Sequence, residues 1–242
     1  MSKQIRLNVA NILAIDTSSA WCSVALSLGD QAPELRHEAV SAGASQLLLP
    51  WIESLLSNAK LSFNDLDAIA VGIGPGAFTG VRLGVAAVQG LAVASKLPVI
   101  SVCSLDAIAA QLVNTPAFQK TTPQNFAVAI DARMEEVYWA HYQTQHNQLP
   151  KRIGEIHLTK PDDMNLEGIE FLAGSAIHAY GERLPSFNGK LDAEITISAL
   201  GILDCAKQAF SEGMHHDVRL LEPLYIRNKV ALTTAERAEA FK

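Results

Sequence analysis

The sequence lacks most of the features that announce a chemistry. Its three cysteines, Cys22, Cys103 and Cys205, are odd in number and far apart, which excludes a disulfide framework and a cysteine-built metal site. Among its seven histidines no two stand four residues apart, so the two-histidine pattern of a helical metal site is missing. There is no Gly-x-Ser-x-Gly elbow and no cysteine in a recognised nucleophile context. No catalytic constellation and no metal site is therefore expected. Basic residues do not outnumber acidic ones. With 19 Lys and Arg against 25 Asp and Glu, the net charge of −6 excludes a broadly basic surface that holds nucleic acid by charge alone. The longest charge-free apolar run, the 13 residues between Arg82 and Lys96, is shorter than the roughly 20 that a bilayer span needs. The first residues carry neither the apolar core nor the cleavage site of a signal peptide, and a cytoplasmic location is expected.

What is present is a globular composition. Of 242 residues, 49% are hydrophobic and 18% charged, enough for a core in one large domain or two small ones. Apolar runs at 11–16, 22–28 and 34–40 predict three strands in an antiparallel meander. A helix follows at 45–59, with Leu48, Trp51, Ile52, Leu55, Leu56 and Ala59 at helical spacing. Its Pro50 belongs in a first turn or at a kink. Then come a strand at 66–73, a helix at 79–95 and a strand at 97–102. The second half starts the same order again: strand, turn, strand over 126–143, strands at 149–158 and 169–174, and helices at 175–184 and 198–212. Both halves place Ala-Ile-Asp at a strand end, so Asp16 and Asp131 occupy matching turns. The expectation is an α/β protein of duplicated βββαβα units facing each other across a cleft. The division falls into 1–105 and 106–242, with room for the last segment to pack back on the first lobe. The boundary lies in 104–125, where residues 114–125 have the composition of a loop.

Residues 72–82, Gly-Ile-Gly-Pro-Gly-Ala-Phe-Thr-Gly-Val-Arg, join a strand to a helix. Gly72, Gly74 and Ala77 fit a dinucleotide turn, but the next strand ends without an acid, Pro75 removes an N–H, and no Lys follows the last glycine. The plainer reading gives Gly74 and Gly76 unusual backbone angles and makes Thr79 the helix cap. Either way the helix start offers free N–H groups to an anion. Arg82, in the first turn, opposes the helix dipole and calls for an acidic partner or a bound anion. Asp16, Thr17, Gly74, Gly76, Thr79, Arg82 and Asp131 thus form a candidate anion or nucleotide site. Asp16 and Asp131 can hold a metal–nucleotide complex between them, or each can bond its own turn. The turn after Asp16 has no glycine, which leaves a phosphate little room.

The helix at 79–95 is apolar all round beyond Arg82, with Gly80, Gly84, Ala87, Leu91 and Ala94 three or four apart. Such a helix is either buried on every side or meets a partner. Together with the leucine-rich helix at 45–59 it supplies a candidate docking surface: Leu48, Trp51, Ile52, Leu55, Gly80, Gly84, Val88 and Leu91. Simple core burial is the competing reading.

Four stretches, 12–26 (ILAIDTSSAWCSVAL), 72–92 (GIGPGAFTGVRLGVAAVQGLA), 131–142 (DARMEEVYWAHY) and 223–231 (PLYIRNKVA), resemble the TsaB family, also called YeaZ. The likeness spans almost the whole chain, and residues 74–82 are its most specific part. The resemblance implies a two-lobed actin-like, Hsp70-like ATPase fold of ribonuclease H-like type. It implies a non-catalytic subunit needed for threonylcarbamoyl modification of adenosine in tRNA. That subunit binds and activates a TsaD-type paralogue through the helices at 45–59 and 79–95, and a TsaE-type ATPase joins them. It further implies a homodimer in isolation, tRNA reached through the complex, no membrane partner, no intrinsic cofactor, and ATP with Mg2+ at the level of the complex. The chain departs from the family at Ala44, where a His often stands, and it lacks the paralogue's helical His pair. Two other functions stay open: an ATP-dependent phosphotransferase of the actin-like fold using Asp16 and Asp131, and a peptidase.

Overall fold

The computed structural model describes residues 10–40 and 43–227. The first nine residues, whose signal-peptide character was considered above, and the end of the fourth resembling stretch, 228–231, lie outside them. Strand β1 (Ile12–Asp16) has all five side chains buried, the mark of a strand covered on both faces. It pairs antiparallel with β2 (Trp21–Ser27), which pairs antiparallel with β3 (Glu34–Ala39). On its other side β1 runs parallel to β4 (Ala68–Gly72), followed by β5 (Val99–Val102), so the sheet order is β3-β2-β1-β4-β5.

A second sheet repeats this plan. Strands β6 (Asn125–Arg133), β7 (Glu136–Gln143) and β8 (Lys151–Thr159) form the meander, and β9 (Phe171–Ala173) and β10 (Lys190–Asp192) add in parallel. The order β10-β9-β6-β7-β8 is the first sheet's order, with β6 in the place of β1. The repeated Ala-Ile-Asp therefore marks the two central strands.

Helices cover the faces. Leu13, Ile15, Val24, Ile69 and Val71 of the first sheet pack against α1 (Ala44–Asn58) and α2 (Phe78–Ser95). The other face is lined with smaller residues, Ala14, Ala25, Ala68 and Ala70, beside Ile12 and Ile100. It receives α6 (Ala199–Ser211), which packs on its other side against α3 (Ser104–Leu112). α3 in turn meets β6 and β7, so Phe126, Val128, Tyr142 and Phe171 of the second sheet belong to the same core. The far face of the second sheet packs on Met164, Leu166 and the short α5 (Ala176–Tyr180).

The expected boundary loop within 104–125 is instead helical. α3 buries seven of its nine residues, and a short α4 (Pro116–Thr121) follows. The Thr-Pro pair that read as loop is a helix start: the Thr115 hydroxyl accepts from the Phe118 N–H at 3.3 Å, and Pro116 occupies the first turn, where its missing N–H costs nothing. The repeat is imperfect, because a single 3-10 turn at Pro161–Asp163 stands where α1 would be. Strand β10 carried too short an apolar signal to be read. The helix expected at 175–184 contracts to α5 and a 3-10 turn. Pro50 lies in the second turn of α1 and is exposed, so its missing N–H falls on the solvent side.

By length and composition α2, at 18 residues, is apolar enough to cross a bilayer. The charge-free count understated it by stopping at Arg82. Its Val81, Gly84, Val85, Val88 and Ala92 are buried.

α3 and α6 touch through Gly201, where any Cβ would strike the Ala107 carbonyl oxygen. The Gln111 side-chain oxygen accepts from the N–H groups of Ser198 at 3.1 Å and Gly201 at 3.2 Å, which fixes the start of α6. Gly201→Val is expected to push these helices apart and lower unfolding free energy by about 2–3 kcal/mol in urea titrations. Gly90→Ala, where an added Cβ meets nothing within 4 Å, serves as the control and should hold or raise stability.

Candidate functional site

The site is built where β1 ends. Asp16 is fully buried, and its carboxylate accepts from the Ser18 N–H at 3.0 Å and the Ser18 hydroxyl at 2.9 Å. The Ser18 hydroxyl also lies 3.2 Å from that of Ser104, at the start of α3. Across from this turn run glycines spaced by four. A Cβ on Gly72 would collide with the Asp16 carboxylate, one on Gly76 with the Ser18 carbonyl, and one on Gly80 with the Thr17 carbonyl. A Cβ on Gly84 would sit 2.9 Å from the Thr17 hydroxyl. That hydroxyl donates to the Gly80 carbonyl at 2.7 Å, and the Ala77 N–H donates to the Ser18 carbonyl at 2.6 Å. The glycine motif thus admits the protein's own chain at 16–18, where a phosphate cradle would admit a ligand.

Several expected roles change accordingly. Thr79 does not cap α2. The helix starts one residue earlier, with Ala77 at the cap position, no side-chain cap, and Thr79 exposed in the first turn. Gly74 does have the left-handed backbone expected of it, φ +99°, and its carbonyl accepts from the Ser104 N–H at 2.9 Å. Arg82 meets no carboxylate among the described residues. Its guanidinium lies over the Phe78 ring at 3.2 Å, with the Tyr225 ring at 5.3 Å, and its Nη1 is buried with no hydrogen-bond partner among the described residues. Tyr225 is 143 positions away in sequence, too far for a local pattern to reveal it.

Asp131 repeats the Asp16 turn. Its Oδ1 accepts from the Arg133 N–H at 2.8 Å and from the Tyr180 hydroxyl at 2.8 Å, and the Arg133 guanidinium pairs with it at 3.1 Å. The two aspartates do not form a pair across the cleft: Asp131 lines it, whereas Asp16 lies sealed beneath Ser18. Burial pushes the Asp16 carboxyl up to about 7, against the lowering pull of the Ser18 N–H and hydroxyl. The thiols are no better placed for chemistry. Burial raises Cys22 to about 11 and Cys103 to about 12, and raises Cys205 as well, so all three stay protonated near neutrality. Among the described residues no three His, Cys, Asp or Glu side chains gather closely enough to hold a metal ion.

The cleft itself has a volume of about 620 Å³ and includes Ser18, Gly76, Ser104 and Asp131 in its lining, together with the rings of Trp21 and Tyr138. Residues 221–227 form a strap along it. The Leu221 carbonyl accepts from Gln89 at 2.9 Å, and the Leu224 N–H donates to the Ile73 carbonyl at 2.8 Å. Arg227 then donates to the carbonyls of Ala132 and Arg133 and pairs with Glu136 at 2.5 Å. It thereby clamps a turn in which Arg133, Met134 and Glu135 all have positive φ, a conformation that non-glycine residues adopt only when their surroundings hold them there.

The expected docking residues divide. Leu48, Ile52, Leu55, Gly84 and Val88 are buried beneath α1 and α2 and face the sheet, so they present nothing to a partner. Helical periodicity had picked out the stripe that the fold itself consumes. Trp51 and Leu91 are half-buried, and Gly80 is pressed against Thr17. The outward face is formed by other residues: Leu49, 53% exposed, and Val93, 66% exposed, with Ala86, Gly90 and Ala94.

The chain is similar over most of its length to known proteins. Residues 37–188 match the family "TsaD: tRNA N6-adenosine threonylcarbamoyltransferase". The chain is 36% identical over 228 residues to the tRNA threonylcarbamoyladenosine biosynthesis protein TsaB of Escherichia coli (strain K12), covering 91% of this chain and 96% of that one. It is 31% identical over 234 residues to TsaB of Haemophilus influenzae, covering 90% and 94%. Among solved structures, YeaZ from Pseudomonas aeruginosa superposes with a TM-score of 0.81 at 35% identity, over 90% of this chain and all of that one.

The buried Asp16 sets a pH dependence. An unfolded aspartate ionises near 3.8 and the folded one near 7, so between these values the folded state holds more protons. Stability therefore falls as pH rises from about 4 to about 7 and is flat above. Asp16→Asn, which cannot ionise, is expected to gain on wild type by an amount on the order of 2 kcal/mol between pH 5 and pH 8 in chemical denaturation. Parallel curves for the two proteins would refute the assignment.

Proposed function

The chain belongs to the TsaB (YeaZ) family of tRNA threonylcarbamoyladenosine biosynthesis proteins, and we propose that it serves this modification as a non-catalytic subunit that binds and activates a TsaD-type transferase. The observation that carries the reading is the outward face of α1 and α2. Behind it the core is complete, with Leu48, Ile52, Val85 and Val88 filling the space over the sheet. The apolar residues left outside, Leu49, Ala86, Gly90, Val93 and Ala94, do nothing for the chain's own fold. Small side chains at Ala86, Gly90 and Ala94 let a partner helix approach closely, and an exposed apolar patch of this kind marks an interaction surface.

A paralogue of the same architecture would offer a matching helix pair, and a second copy of this chain would use the same face as a homodimer in isolation. A TsaE-type ATPase completes the assembly, tRNA is reached through it, and ATP with Mg2+ belongs to the complex, with no cofactor held by this chain alone. The location is cytoplasmic. A phosphotransferase finds less support, because Asp16 is shut away from the cleft. A peptidase finds less support, because burial raises the thiols and keeps them protonated, where a nucleophile needs a lowered pKa.

Gly90→Arg and Val93→Arg test the docking face. Both positions are exposed, and replacing a helical glycine favours the helix by up to ~1 kcal/mol, so thermal stability should hold or rise. Co-elution with the cognate TsaD-type protein is expected to weaken at least tenfold in each. Undiminished co-elution of both variants would rule out this face.

A further inference from the structure

We propose that the mouth of the cleft is a docking site for a protein partner, and that it takes an acidic segment carrying a large apolar side chain. The site lies off the outward stripe of α1 and α2, so it stands whether or not a transferase docks there. Phe78, Met134 and Tyr225 are 50%, 58% and 54% exposed, and all three line the cleft. They come from the start of α2, the turn between β6 and β7, and the strap. Separate elements thus present large apolar side chains to water at one opening, an arrangement that marks an interaction site. Ile130, Ile195, Ile197, Leu224 and Ile226 complete the apolar walls. At about 620 Å³ the cleft has ample room for a partner's side chain.

The charges at this mouth say what the partner brings. Arg133 is engaged by Asp131 at 3.1 Å and Arg227 by Glu136, and Glu135 of the same turn pairs with Arg183 at 3.6 Å. Arg82 is left without a carboxylate among the described residues. Its guanidinium lies 3.2 Å over the Phe78 ring and 5.3 Å from the Tyr225 ring, so the fold holds the charge beside two of the three exposed apolar side chains. Its Nη1 and the Nε of Arg227 are buried donors with no acceptor among the described residues. The start of α2, which has no side-chain cap, lies at the same place and adds the positive end of a helix. On a chain of net charge −6, this concentration of positive charge beside exposed rings complements a carboxylate.

Aromatic, methionine and arginine side chains are the ones that protein interfaces favour. A methionine adapts its shape to what enters, and the Arg227 guanidinium holds Met134 in place by donating to its sulfur at 3.0 Å. The docked segment sets its carboxylate on Arg82 and its apolar side chain between Phe78, Met134 and Tyr225. It thereby bridges α2 in the first half of the chain to the β6–β7 turn in the second. A polyphosphate would engage the cations and leave Met134 and the aliphatic walls uncovered, whereas an acidic, apolar peptide uses both.

Fluorescence anisotropy of the full chain with a fluorescein-labelled peptide of alternating Glu and Phe examines this. Saturable binding with Kd below about 100 µM is expected, and about tenfold or more weaker binding of the same peptide with Gln in place of Glu. Arg82→Gln and Tyr225→Ala are each expected to weaken the Glu peptide by about tenfold or more while the circular dichroism spectrum and Tm stay native. Gly90→Arg and Val93→Arg, on the outward helix face, should bind the peptide like wild type, so loss of the transferase and loss of the peptide are separate outcomes. Mg–ATP at about 1 mM should leave the peptide bound. The proposal is overturned if the Glu peptide fails to saturate, if its Gln counterpart binds as tightly, or if either natively folded variant, Arg82→Gln or Tyr225→Ala, binds it like wild type. Displacement of the peptide by Mg–ATP would equally overturn it, because the cations would then belong to a phosphate site.

Discussion

The close approach of residues 16–18 to the glycines at 72, 76, 80 and 84 is the contact on which the first sheet's site depends. A β-carbon at any of the first three would drive the turn after β1 away from α2. The approach seals Asp16 and fixes the start of α2 without a side-chain cap. It also sets Ser18 against Ser104, so the end of a central strand, the start of α2 and the start of α3 meet within one small polar knot. The fourfold spacing has a geometric origin. On α2 it keeps Gly80 and Gly84 on one side of the helix, and the strand end and turn ahead of the helix carry the same line back through Gly76 to Gly72.

Much of the fold was legible because the signals are local. Alternation and apolar runs located the meanders and the first half's crossover helices to within a residue or two, and the repeated Ala-Ile-Asp pointed to two copies of one sheet plan. The misses have specific causes. Thr115 and Pro116 belong to both loops and helix starts, and only the buried stripe of α3 before them decides which. The three residues of β10 take their place from pairing with β9, a contact that periodicity within the segment does not encode.

The site was less legible, for a different reason. Leu48, Ile52, Leu55 and Val88 carry the strongest helical periodicity, and strong periodicity marks what faces the core. The exposed apolar face is the remainder, in residues such as Gly90 and Val93 that are apolar where a lone helix needs polar ones. Arg82 illustrates the same limit. Its charge at a helix start called for an anion, and what the fold supplies is a pair of rings, one of them from a strap near the end of the chain. Asp16 and Asp131 do match in sequence and in turn geometry, yet one is sealed in and the other open. Four glycines close over the turn at Asp16, whereas beside Asp131 one glycine, Gly174, presses on the Ala129 carbonyl.

α6 has a consequence for the order in which the molecule comes into being. It is made of residues 199–211, yet it covers the alanine-rich face of a sheet whose strands are finished by residue 102. During synthesis that face stays bare while more than half of the remaining chain is still to be made. A ribosome-bound fragment ending before residue 199 carries five paired strands with one apolar side open to water. Contacts of such long sequence separation slow folding. The first half of this protein thus keeps an apolar sheet face exposed until α6 arrives.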